Sequence, residues 1–199
     1  MDEKKLEIYY DHYKDTFQQQ VRYIENRNRY FFISLGLVGL LFILITDPTT
    51  VNNAANGFAQ KNVSEKFVFD FGYVNHFILF GLLCVLILYF QVNLTIEKHY
   101  EYLWKLENDL TNELQPLSIT REGKFYLKVK PMYIKVVSKI YKFFYPISII
   151  CAVAFKLYLV IQGQNFTSLS YWVDLVLCLI IIAITSLYFY WQNVERKRK

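Results

Sequence analysis

Two charged residues stand where charge is costly. Lys156 interrupts the otherwise uncharged run FFYPISIICAVAFKLYLVI, Phe143 to Ile161, and Asp174 opens the next apolar run. An ionisable group inside an apolar span is expensive, and its default reading is a functional site. Counted from the middle of the short segment between the two runs, Lys156 and Asp174 fall at similar depth on adjacent antiparallel helices. They can form an ion pair, or Lys156 can snorkel to the nearby surface. The chemical reading is a polar path for an ion or substrate. His76, next to Asn75, lies near the start of another apolar run. One His is not a metal site, because zinc takes three or four ligands, so a structural or interfacial role is expected for it. Gln91 and Asn93 are suited to hydrogen bonds between helices.

Other chemistry is thin. No phosphate loop, nucleophile elbow, H-E-x-x-H or paired acidic motif falls in the apolar runs. The acids are scattered along amphipathic stretches, whereas a membrane enzyme needs them gathered near one bilayer face. The sequence therefore names no catalytic, cofactor-binding or metal-binding residue, and neither an enzyme nor a cofactor is expected. Cys84, Cys151 and Cys178 each sit in an apolar run and form no C-x-x-C pair, so all three are expected as buried small hydrophobes. Asn62 and Asn165 stand in N-x-[ST] frames, which matter only in a secreted or secretory-pathway chain.

The elements that position these residues are apolar helices. The chain has 199 residues, 54% of them hydrophobic and 19% aromatic, which is too apolar for an ordinary soluble domain of this length. Four runs are long enough, or nearly so, to cross a bilayer core: about 30–46, 73–95, 143–161 and 172–193. In hydrocarbon each backbone N–H and C=O must be satisfied within its own segment, so such runs become helices. A core helix of a soluble protein would keep a polar face, and these do not. The fold class expected is all-α and integral to the membrane, with four transmembrane helices in two helical hairpins. Tyr30, Tyr89, Tyr145, Tyr171, Trp172, Tyr190 and Trp191 fall near the span ends, as aromatic belts do. No cleavable signal peptide is visible, so the first run is expected to act as an uncleaved signal anchor.

Lys and Arg set the expected orientation. Nineteen of the 22 cationic residues lie before the first run, between the second and third, or after the fourth. By the positive-inside rule both termini are cytoplasmic and the loops around Asn53 and Asn165 are external.

The cytoplasmic segments carry two apolar stripes at steps of three and four. Leu6, Tyr10, Tyr13, Phe17, Val21 and Ile24 mark one, with Asp2 as its cap; Ile96, Tyr100, Leu103, Leu106, Leu110 and Leu114 mark the other. No Gly or Pro separates the first stripe from the first span, so each stripe is expected to continue its span as helix. The stripes can pair as an antiparallel hairpin. Tyr9, Tyr13, Phe17, Tyr100, Tyr102 and Leu106 are the residues expected to bind a cytoplasmic protein partner or sister subunits in a homo-oligomer. Because its helices run straight into the spans, such a hairpin would couple its partner to the membrane.

This makes residues 1–115 a first transmembrane hairpin with cytoplasmic extensions, 116–131 a basic connector and 132–199 a second hairpin with a basic tail. In the connector, Ile119 to Val129 alternates around Glu122-Gly123, which suits a small β-hairpin or an extended loop on the lipid surface. Pro131 opens a helix. Lys124, Lys128, Lys130, Lys135, Lys139 and Lys142 form a basic, aromatic-rich strip fitted to anionic lipid headgroups. The strip is too generic to indicate nucleic acid. The two halves share a plan that would make any repeat parallel, but no residue-level self-similarity supports one.

The segment DHYKDTFQQQVRYIENRNRYFFISLGLVGLLFIL, Asp11 to Leu44, resembles the start of small bacterial membrane proteins encoded in anti-phage defence islands. The four-span plan over most of the chain is similar to the membrane subunit of the Kiwa system and to four-span effectors linked to nucleotide signalling. The likeness is architectural and transfers no functional residue. It implies a homo-oligomer in the bacterial inner membrane that senses membrane perturbation, or disrupts the membrane, together with a cytoplasmic partner. The alternative is a small ion channel or transporter with Lys156 and Asp174 near its path.

Overall fold

A computed structural model describes residues 3–62, 71–114, 132–163 and 168–197. Among these residues the regular structure is helical throughout, with no strand. The elements are α1 (Glu3–Thr46), α2 (Pro48–Asn62), α3 (Phe71–Glu113), α4 (Met132–Lys139), a π-helical turn (Ile140–Phe144), α5 (Tyr145–Gln162) and α6 (Leu169–Lys197). The segment expected to form a β-hairpin, Ile119 to Val129, lies outside the described residues.

Four of these helical stretches, α1, α3, the π-helical turn continued by α5, and α6, are long and apolar enough to cross a membrane. They contain the four runs read from the sequence, and the chain is a membrane protein. At about 1.5 Å per residue α1, with 44 residues, is about 66 Å long, about twice a bilayer's hydrocarbon core. Its apolar run fills only the second half. The first half of α1 and the second half of α3 carry the charges, which places them outside the hydrocarbon.

Local chemistry explains where the helices stop. The residue before a proline disfavours helical dihedrals, and Pro48 has no N–H for the ladder, so α1 ends at Thr46. Asp47 then caps α2. Its Oδ1 accepts the Thr50 N–H at 3.1 Å and the Thr49 hydroxyl at 3.1 Å. Those bonds favour the charged form and hold the Asp47 carboxyl below its ordinary value of 3.8. The helix α2 falls within the segment read from sequence only as an external loop. Its composition, PTTVNNAANGFAQKN, offers only a short stripe, Val51, Ala55 and Phe58, among asparagines and a glycine, which marks a helix weakly. The π-helical turn sits just ahead of Pro146, whose missing N–H and bulky ring break the regular ladder there.

The chain divides into two compact units. Unit 1 comprises residues 1–30 and 88–140. Its interior is a cluster of Tyr13, Leu103, Leu106 and Leu110, with Leu6 and Phe17 packed against it. Side-chain bonds tie the two helical segments together in antiparallel order. His12 Nε2 meets Tyr102 Oη at 2.7 Å, the Tyr13 hydroxyl donates to Glu107 Oε1 at 3.2 Å, and Gln20 Nε2 donates to the Ile96 carbonyl at 3.5 Å. The rings of Tyr23 and His99 meet edge to face at 5.0 Å.

Unit 2 comprises residues 31–87 and 141–199. In it α5 packs along α6. Near one end Phe31 meets the rings of Tyr141 and Tyr145, each at 4.9 Å, and the Tyr145 hydroxyl is bonded to Ser34 Oγ. Large apolar side chains also face outward, among them Phe32, Phe42, Phe77, Phe80, Phe144 and Leu187. That distribution would be unfavourable against water and is the ordinary one against lipid chains.

Candidate functional site

At the end of unit 2 that carries the α5–α6 connection, three helices bring five polar side chains together. Asn75 and His76 come from the first turns of α3, Lys156 from α5, and Ser170 and Asp174 from the first turns of α6. Ser170 and Asp174 are four residues apart on one helix, so they share a face. Asp174 is the hub. Its Oδ1 lies 2.6 Å from His76 Nδ1, and its Oδ2 lies 2.7 Å from Asn75 Nδ2 and 3.4 Å from Lys156 Nζ. On its far side the His76 ring reaches Ser170, with Nε2 3.0 Å from Oγ.

The chemistry of the donors fixes the direction of these bonds. A carboxylate only accepts, so Nδ1 of His76 carries a proton and donates it to Asp174. In the neutral imidazole Nε2 is then an acceptor, and the Ser170 hydroxyl donates to it. The same reasoning sets the Asn75 amide, whose nitrogen faces Asp174. Its other atom, Oδ1, is buried with no hydrogen-bond partner among the described residues. The Asp174 side chain is only 9% exposed, yet it has three donors, which a buried charge needs.

Below the cluster the interior is apolar. One helical turn further in by the 5.4 Å pitch come Leu79, Val153 and Cys178, and beyond them Leu82, Ile149 and Ile181; none is more than 1% exposed. Beside the cluster the outer face of α3 and α6 holds a cleft of about 280 Å³. His76, Phe77, Phe80, Val173 and Leu177 line it.

The structure thus brings Lys156 and Asp174 together and adds three residues that sequence reasoning did not join to them. His76 was read as a lone structural histidine, and Asn75 only as its neighbour. Ser170 carried no reading of its own. The one local signal was the four-residue spacing of Ser170 and Asp174. The approach of α3 is tertiary and leaves no mark in the sequence.

The aromatic and apolar residues expected to form a partner surface divide. Tyr13 and Leu106 are interior residues of unit 1, and Phe17 packs against them. These residues pack within the hairpin itself. Tyr9 and Tyr102 are exposed, and Tyr100 is half-buried. Of the basic strip, Lys124, Lys128 and Lys130 lie outside the described residues. Lys135 and Lys139 stand on α4, with Lys139 exposed, and Lys142 is half-buried on the π-helical turn. Cys178 is buried as expected, whereas Cys84 and Cys151 are exposed, a correction that follows from their place on outward helix faces.

No protein-family model, curated protein or solved structure matches the chain. Its function must be read from its own geometry.

Proposed function

We propose that the protein is a membrane-anchored sensor or effector subunit. In this reading unit 1 is its docking module and a homo-oligomer its working form. The observation that carries the reading is the surface of unit 1. After filling its own core, this unit still exposes Ile8, Tyr9, Tyr10, Tyr102 and Trp104. Tyr9 and Ile8 lie within about one turn of His12, whose ring is bonded to Tyr102, so part of this surface is contiguous. Large aromatics outside the hydrocarbon-length part of a helix have no lipid to cover them, and they are the residues that dominate protein contacts. A second copy of the chain is the occupant favoured here, with a cytoplasmic protein as further partner.

The setting proposed is bacterial anti-phage defence at the inner membrane, with both termini cytoplasmic. It is supported by the resemblance of the Asp11–Leu44 segment and by the placement of Lys and Arg. The exposed Lys139 suits contact with anionic headgroups on the same side. A channel or transporter is the weaker reading. The Lys156–Asp174 pair is followed inward by packed Leu, Val, Ile and Cys side chains, which offer an ion no polar continuation.

The test is phage challenge of a bacterial host expressing the chain with its neighbouring genes. Plating efficiency is expected to fall with the wild type and recover with the Tyr9→Ala/Tyr102→Ala variant, while the variant stays in carbonate-resistant membranes. Equal plating with and without the wild-type protein would remove the defence assignment.

A further inference from the structure

The order of atoms in the polar cluster is the order of a nucleophilic serine site. A carboxylate, Asp174, holds Nδ1 of an imidazole, and Nε2 of that imidazole holds a serine hydroxyl. Such constellations are recognised by geometry and roles and not by position in the chain. The burial is graded in the same direction. Asp174 is nearly enclosed, the His76 side chain is 15% exposed, and Ser170 is exposed. Asn75 and Lys156 hold the second carboxylate oxygen, which leaves the first aimed at the ring. Ser170 stands in the first turn of α6, a 29-residue helix, whose dipole is positive at that end and favours the negative charge that develops beside the serine.

A second, independent feature indicates the substrate. The cleft of about 280 Å³ begins at His76 and continues along Phe77, Phe80, Val173 and Leu177, away from Ser170 and along the apolar faces of α3 and α6. Its walls are otherwise hydrocarbon, and it opens sideways onto the surface that lipid covers. A long acyl chain fits such a wall, and its ester group would then lie at the level of Ser170, close to the α5–α6 connection.

We infer that Ser170, His76 and Asp174 form a nucleophilic site for the ester bond of a long-chain acyl lipid, with the acyl chain in the cleft between α3 and α6. Ser170 Oγ attacks the ester carbonyl carbon as its proton passes to His76 Nε2. The bond to the alcohol oxygen breaks, and the departing alkoxide takes that proton from His76. Water then attacks the acyl–serine ester, giving one proton to His76, which returns it to Ser170 Oγ. The products are the free alcohol and the fatty acid, and the ester and one water are consumed. Ser170 and His76 are the catalytic residues, and Asp174 is a positioning residue. The inference goes beyond the docking role proposed above and does not depend on it: the docking test reads variants of unit 1, and the test here reads Ser170.

The test uses alkyl fluorophosphonates, which transfer a phosphonyl group to an activated serine with loss of fluoride. The full-length protein in mixed micelles is treated with the hexadecyl and the ethyl reagent, and the adduct is located by peptide mass mapping. The adduct is expected on Ser170, absent in Ser170→Ala, and slower in His76→Gln by about 100-fold or more. The exposed position of Ser170 lets its variant keep the wild-type elution profile, which is checked alongside. The hexadecyl reagent should react faster than the ethyl one, and Phe80→Trp, which fills the cleft, should erase that preference. An unmodified Ser170, or one modified equally fast in His76→Gln, overturns the site. Equal rates for the two reagents overturn the acyl-lipid assignment.

Discussion

Asp174 shows how a costly residue is retained inside an apolar unit. Three donors from two other helices converge on it, so its charge is compensated from several directions. Removing a partner from such a group is far worse than removing the group's charge and partner together. Asp174→Leu leaves Lys156 and His76 facing hydrocarbon and is expected to cost about 3 kcal/mol, whereas Lys156→Met leaves Asp174 with His76 and Asn75 and should cost about 1 kcal/mol. The double variant should be less destabilised than Asp174→Leu alone. Denaturation in mixed micelles measures all three. The sequence located this pair because a charge in an apolar run is conspicuous. It did not reveal His76, Asn75 and Ser170 as partners, because each is an ordinary residue near the end of a run and only the approach of α3 to α6 unites them.

At the scale of elements, α2 illustrates structure that a short apolar stripe marks only weakly. Its start is set by the Asp47 carboxylate, whose bonds to Thr49 and Thr50 lower its affinity for protons. A carboxyl with a depressed folded-state value stabilises the fold above its ordinary value of 3.8, and that contribution is lost as pH falls through the lower folded value. Protection of the Thr50 amide from hydrogen exchange is therefore expected to hold at neutral pH and decline below pH 3.8. In Asp47→Asn, whose amide caps without titrating, that decline should be missing. The spans were legible because uncharged length alone forces helix in hydrocarbon. The pairing of the two stripes in unit 1 was legible from spacing. Which stripe residues remain on the surface was not, because Tyr13 and Tyr9 differ only in the side of the helix that meets α3.

For the whole molecule, orientation is carried by the placement of Lys and Arg. In a variant lacking its native cysteines, single cysteines at positions 55 and 165 are expected to react with an impermeant maleimide from outside intact cells, and those at positions 5 and 125 only after lysis. Cys84 and Cys151 must be replaced because both are exposed on helix faces. The reverse pattern would invert the protein and place unit 1 on the outside, away from any cytoplasmic partner.

Self-association through unit 1 is the claim on which the proposed function stands. Native mass spectrometry of the protein released from detergent micelles measures it most directly. The wild type should appear as a discrete oligomer, and Tyr9→Ala/Tyr102→Ala should shift it to monomer while each chain keeps its helical content. A wild-type protein that is monomeric at micromolar concentration, or a double variant with the wild-type oligomer intact, would contradict the account.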